Sequence, residues 1–211
     1  MNYKWLNRKN NKKVIVFFNG WGMDENVINL NFLDYDFLMF YEYLDEKIDK
    51  NLVFELEKYE SSIIISWSMG VIFSTLLKLN NMEQRIAING TVKVINNDFG
   101  INEKIFNNTL QNLNINTIDM FFKNMSINDD FKKPKRNIKS QINELKFIGE
   151  FYKKNDFKGK FNKVFIGKYD KIIPFKKQKN FWENESPVVL EAGHYIFNLF
   201  KSWEEIICYD K

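Results

Sequence analysis

Short apolar runs alternate with amphipathic stretches along much of this chain. Lys13 to Gly20 carries a continuous run, VIVFF, that stops at the turn NGWG. Asp36 to Tyr43 (DFLMFYEY), Ile63 to Trp67, Arg85 to Asn89 (RIAIN), Lys163 to Gly167 (KVFIG) and Val188 to Glu191 (VVLE) read in the same way. Apolar runs of this length, separated by helical patterns, predict strands of a parallel sheet covered on both faces. Ile48 to Lys58 places Ile48, Leu52, Val53 and Leu56 on one helical face, and Met69 to Leu79 places Ile72, Phe73, Leu76, Leu77 and Leu79 mostly on one stripe. The pattern predicts an α/β fold in which a mostly parallel sheet is flanked by helices.

That rhythm stops between Gly90 and Lys160. The segments INEKIFNNTLQNL, INTIDMFF and SQINELKFIGEFYKK read as helices, with no convincing strand among them. The expected organisation is one domain over 1–211 with a small helical lid inserted at 91–160. No internal repeat is visible.

Composition narrows the class. The 211 residues are 45% hydrophobic and 17% aromatic, enough for one sizeable core. No apolar run approaches the ~18 residues of a membrane helix, and MNYKWLNRKNNKK lacks the apolar stretch of a secretory signal. The single cysteine, Cys208, excludes a disulfide framework and a cysteine-pair metal site. A cytoplasmic protein is expected, acting neither at a membrane nor with a metal or other cofactor. Net charge is a mild +4, but Lys123 to Lys160 holds eleven Lys or Arg against five acids. Such a surface is either a solvated helix face or a docking face for an acidic partner. No nucleic-acid-binding motif accompanies it.

The candidate chemistry lies where the predicted strands end. An open parallel sheet binds ligands at the carboxyl ends of its strands, and four glycine-bearing turns fall there: NGWG, SWSMG, GKYD and EAGH. In SIIISWSMGV a strand runs into Ser68 and a helix begins at once. Ser66-Trp67-Ser68-Met69-Gly70 follows the nucleophile elbow G-x-S-x-G, with Ser66 in place of the first glycine. The strained bend needs small residues two before and two after the nucleophile. A serine needs a base, and the chain has one histidine, His194 in EAGHYIF. Asp170 in GKYDKIIP supplies a carboxylate to orient it, or else caps a helix beginning near Pro174. The order Ser, Asp, His is that of the α/β-hydrolases. The oxyanion donors would be the N–H groups of Met69 and Trp21, with Gly20 and Gly22 allowing close approach.

Together, FFNGWGMDENVI, SWSMGV, GKYDKIIP and GHYIF resemble the BioG-type esterases of biotin synthesis, small α/β-hydrolases that demethylate pimeloyl-[acyl-carrier protein] methyl ester. The resemblance runs in order through most of the chain, while 91–160 matches only in character. It departs at Ser66 and at Asn19, where many hydrolases carry histidine. It implies Ser68 as nucleophile, His194 as base, Asp170 as its orienter, and Trp21 and Met69 as oxyanion donors. It also implies an acidic acyl carrier protein as partner, met by Lys132, Lys133, Lys135, Arg136 and Lys139. Trp67, Phe121, Phe122, Phe147 and Phe151 either line an acyl channel or pack in the core. A monomer is expected. Two other readings stand beside this one: an acyl thioesterase or acyltransferase with the same triad, and a non-catalytic carrier-binding protein.

Overall fold

The computed structural model describes residues 1–28, 30–126 and 131–210. Among them, seven strands form one sheet: β1 (Asn2–Asn7), β2 (Lys13–Phe18), β3 (Tyr35–Tyr41), β4 (Ser61–Trp67), β5 (Met82–Ile88), β6 (Lys163–Gly167) and β7 (Val188–Leu190). Their spatial order is β1-β3-β2-β4-β5-β6-β7. Only β1 runs antiparallel, against β3; all other pairs are parallel. Residues 14–18 of β2 and 62–67 of β4 are buried throughout, as expected for central strands covered on both faces. The β1 segment NYKWLN escaped the sequence reading. Its outer residues are exposed and its partner lies on one side only, so no apolar run marks it, and its charged edge discourages further pairing.

Two helices are shorter than their apolar stripes suggest. The first, α1, spans Lys50–Leu56 and is capped by Asp49, whose carboxylate accepts the Asn51 N–H. The second, α2, spans Gly70–Ser74, not 69–79. The hydroxyls of Ser74 and Thr75 donate to the carbonyls of Val71 and Ile72, competing with the helical ladder. Leu77 and Leu79 still reach the core from the loop that follows.

The stretch between β5 and β6 holds α3 (Glu103–Asn112), α4 (Ile115–Lys123) and α5 (Ile138–Lys154). Each begins at an asparagine, Asn102, Asn114 or Asn137, whose side chain accepts a first-turn N–H, so the asparagine-rich composition serves here as helix caps. Helix α5 buries Leu145, Ile148 and Phe151. A Cβ at Gly149 would lie 2.8 Å from the Phe106 ring, so glycine is what lets α3 and α5 pack closely. After β6 come α6 (Phe175–Phe181) and α7 (Trp203–Ile207). No helix of the described residues is long and apolar enough to cross a membrane.

Candidate active site

Ser68 occupies the corner between β4 and α2 with φ +57°, a left-handed conformation that costs a side-chain-bearing residue about 1–3 kcal/mol. The surroundings hold it there. Its N–H donates to Ile88 O at 2.9 Å. A Cβ at Gly70 would stand 2.4 Å from Phe18 O and 2.5 Å from Asn19 O, and one at Gly90 would stand 2.4 Å from Ser68 O. Both glycines are therefore required by the bend. Ser66 fits where the pattern has glycine because its hydroxyl donates to Ile86 O on β5 at 3.1 Å, inside the sheet.

His194 follows β7 and is fully buried. Its Nδ1 lies 2.8 Å from Asp170 Oδ2, so Nδ1–H donates to the carboxylate, which favours the tautomer with the Nε2 lone pair free. Asp170 is held in turn: Oδ1 accepts the N–H groups of Ile172 and Ile173, and Oδ2 accepts Gln178 Nε2 at 2.8 Å. The alternative role as a cap of α6 is not taken, since Pro174 occupies the N-cap and no side chain caps that helix. The His194 loop is fixed through its carbonyls. Trp67 Nε1 donates to His194 O at 2.9 Å, and Asn89 Nδ2 donates to both His194 O and Gly193 O. Asn89 Oδ1 meanwhile accepts Gly167 N–H at 2.6 Å, tying the ends of β5 and β6 to the same loop. His194 Nε2 is buried without a hydrogen-bond partner among the described residues. It shares with Ser68 a cavity of about 10 Å³, room for about one water.

The turn after β2 forms another wall of that cavity, through Gly20 and Trp21. Gly22 has φ +74°, a conformation glycine adopts freely. Among the described residues, neither the Trp21 N–H nor the Met69 N–H has a hydrogen-bond acceptor. A second cavity, about 300 Å³, shares Trp21, Met69, Phe121 and Ile172 with the first and continues along Ile101, Phe106, Leu113 and Leu145. Of the aromatics considered for a channel, Phe121 and Trp67 border these cavities. Phe122 packs on Phe131; Phe147 and Phe151 stack in the core against Phe73.

The basic stretch divides into two kinds of residue. Lys132, Lys133, Lys135 and Lys139 are exposed, with Lys133 paired to Asp119 at 2.7 Å. Arg136 is not a free surface cation. Its guanidinium is nearly buried between Glu144 (2.5 Å) and Glu42 (3.0 Å). Two of the acids in that stretch, Asp129 and Asp130, lie outside the described residues. Glu144 is completely buried; burial pushes its carboxyl above the usual carboxylate range, against the opposing pull of Arg136 and the N–H groups of Tyr43 and Gly22. Sequence reasoning missed Asn89, Gln178, Gln141 and Glu144. Only Asn89-Gly90, a turn pair at a strand end, gave a local signal.

This sheet order, with the elbow after a central strand and functional turns gathered at the strand ends, defines an α/β-hydrolase fold. Residues 1–206 match the family described as pimeloyl-ACP methyl esterase BioG, and the chain belongs to that family. The structure resembles BioG from Haemophilus influenzae at 26% identity and a TM-score of 0.86, covering 97% of this chain and 98% of that one. It also shares its fold with a thermophilic esterase from Thermogutta terrifontis, at 10% identity and a TM-score of 0.59, covering 92% and 86% of the two chains. A malonyl-[acyl-carrier protein] O-methyltransferase of Bacteroides fragilis is 36% identical over 205 residues. That match takes 90% of this chain but only 41% of the relative, so the chain spans less than half its length.

Proposed function

We propose that this protein hydrolyses the methyl ester of pimeloyl-[acyl-carrier protein] in biotin synthesis, releasing methanol and leaving the thioester to the carrier intact. The observation that carries the reading is the elbow serine, which shares a one-water cavity with a buried, unpartnered His194 Nε2 whose other nitrogen is held by Asp170. Ser68 Oγ attacks the ester carbonyl while His194 Nε2 takes its proton. The carbonyl oxygen becomes negative between the N–H groups of Trp21 and Met69. As the tetrahedral species collapses, the C–OCH₃ bond breaks and His194 returns the proton to methanol. Water, deprotonated by the same imidazole, then attacks the acyl-serine carbonyl; the free acid departs and Ser68 regains its proton.

Room for about one water beside Ser68 suits a methoxy leaving group, and the adjoining apolar cavity suits a methylene chain. The exposed Lys132, Lys133, Lys135 and Lys139 suit an acidic carrier, with more effect on encounter rate than on affinity. Ser68, His194 and Asp170 all come from one chain, which suits a monomer, and a lone exposed cysteine suits the cytoplasm. The Bacteroides fragilis relative carries the name malonyl-[acyl-carrier protein] O-methyltransferase, and a carrier-bound methyl ester as substrate agrees with that name.

Product analysis tests the proposal. Purified protein given pimeloyl-carrier methyl ester should release methanol and no carrier thiol. Free thiol would instead identify a thioesterase. Absence of both products, with no labelling of Ser68 by a fluorophosphonate, would leave carrier binding without catalysis.

A further inference from the structure

The turn between Asn19 and Asp24 is anchored in two different ways. The body of the fold holds its ends: Asn19 Oδ1 accepts Gly20 N–H, Asn19 Nδ2 donates to Asp24 O, and Tyr43 OH donates to Asn19 O. The middle, Trp21 and Gly22, is held by α5. Trp21 Nε1 donates to Gln141 O at 2.8 Å, Gln141 Nε2 donates to Gly22 O at 2.9 Å, and Gly22 N–H donates to Glu144 Oε2 at 3.1 Å. All of these groups are buried. Glu144 is itself fixed: its Oε1 accepts Tyr43 N–H, and Arg136 grips its Oε2. Gln141 and Glu144 thus bond both backbone groups of Gly22; the Trp21 N–H lies one peptide earlier, where Gly20 O accepts Met23 N–H at 3.3 Å, and the clamp bears on it by fixing the far side of the Trp21 backbone.

We propose that Gln141 and Glu144 are positioning residues for the oxyanion site, so that the helical insertion helps assemble the catalytic machinery as well as covering it. This rests on the serine-esterase reading above. Their role is exerted through the turn, without contact to substrate. Two features argue against simple lid packing. A buried carboxylate is a costly way to fasten a helix when apolar contacts would serve, and both residues converge on the turn that supplies an oxyanion donor. An amide displaced by a fraction of an ångström loses much of its hold on a developing oxyanion, because that stabilisation depends on prior alignment.

The test uses p-nitrophenyl butyrate, a soluble ester that needs no carrier. Glu144→Gln replaces one carboxylate oxygen with an NH₂ that must oppose a donor, Tyr43 N–H or Gly22 N–H, loosening the clamp at either end, and Gln141→Ala removes the bond to Gly22 O. Each should lower kcat about tenfold or more with KM within twofold, and should slow inactivation by a fluorophosphonate in proportion, since that reagent uses the same oxyanion site. Ile148→Ala, a buried change on the same helix outside the clamp, should lower Tm while leaving kcat unchanged. If Glu144→Gln fails to fold, Gln141→Ala decides alone. The proposal is overturned if folded variants keep kcat within twofold, or if Ile148→Ala lowers kcat equally. Ser68→Ala separates the two levels. Its inactivity beside fully active clamp variants removes only the clamp, whereas retained activity removes the esterase reading as well.

Discussion

Replacing Asp170 by Asn probes the site at its most constrained point. The carboxylate accepts four hydrogen bonds: Ile172 N–H and Ile173 N–H at Oδ1, and Gln178 Nε2 and His194 Nδ1 at Oδ2. An asparagine must keep its oxygen toward the two backbone N–H groups, since turning its NH₂ to them would oppose donors to donors. The NH₂ group therefore faces His194. Imidazole Nδ1 then becomes the acceptor and the proton moves to Nε2, the nitrogen that receives the serine proton in the proposed mechanism. A base in the wrong tautomer cannot act. The comparable change in a serine protease triad costs about 10,000-fold, corresponding to about 5 kcal/mol of transition-state stabilisation. Gln178 Nε2 loses its carboxylate but keeps Ile173 O at 2.6 Å, so the loss of stability should be smaller, about 1–3 kcal/mol. The assay is kcat/KM for Asp170→Asn on a methyl ester, with thermal unfolding run alongside. A folded variant within tenfold of wild type would refute the orienting role of Asp170.

Other perturbations test neighbouring parts of the account. Gly90→Ala drives a Cβ to 2.4 Å from Ser68 O; it should cost about 1–3 kcal/mol in urea unfolding and also lower kcat, and an unaltered protein would deny that the elbow is sterically locked. Asn89→Ala strands the buried Gly193 carbonyl and the Gly167 N–H around the His194 loop, while His194 O keeps Trp67 Nε1; a loss of about 1–3 kcal/mol with reduced kcat is expected, and unchanged kcat would show that the loop holds itself. Reversing Lys132, Lys135 and Lys139 together to Glu should raise KM for the carrier-linked ester roughly tenfold at low salt, leaving p-nitrophenyl butyrate untouched; equal effects on both substrates would deny a docking role. Glu144, protonated more readily folded than unfolded because of burial, adds stability at acid pH that is lost as pH rises through its folded value. The stability of wild type relative to Glu144→Gln should therefore decline from acid to neutral pH, and a rising difference would contradict that direction.

The parallel core was legible because β2 and β4 are buried on both faces, β2 reading as the unbroken run VIVFF and β4 as Ile63, Ile64 and Ile65 followed by Ser66 and Trp67. Strand β1 was not, because an edge strand with exposed Asn2, Tyr3 and Lys4 has no such run. Ser68, Asp170 and His194 could be picked out because each stands at a strand end beside a glycine-bearing turn, and the fold brings those turns together. Residues that hold the site through remote partners left little trace. Gly22 and Glu144 are 122 positions apart, as are Arg136 and Glu42 by 94. A count of charges cannot see such pairing, which is why Arg136 read as a docking cation. The asparagines of the insertion carried more structure than their composition suggested, as the caps of α3, α4 and α5.

The most direct measurement is turnover of pimeloyl-carrier methyl ester by Ser68→Ala, purified free of wild type and shown to be folded. The account predicts that methanol release falls by several orders of magnitude while the carrier thioester survives. Release at the wild-type rate would mean that the elbow hydroxyl is not the nucleophile, and the proposed mechanism would fail with it.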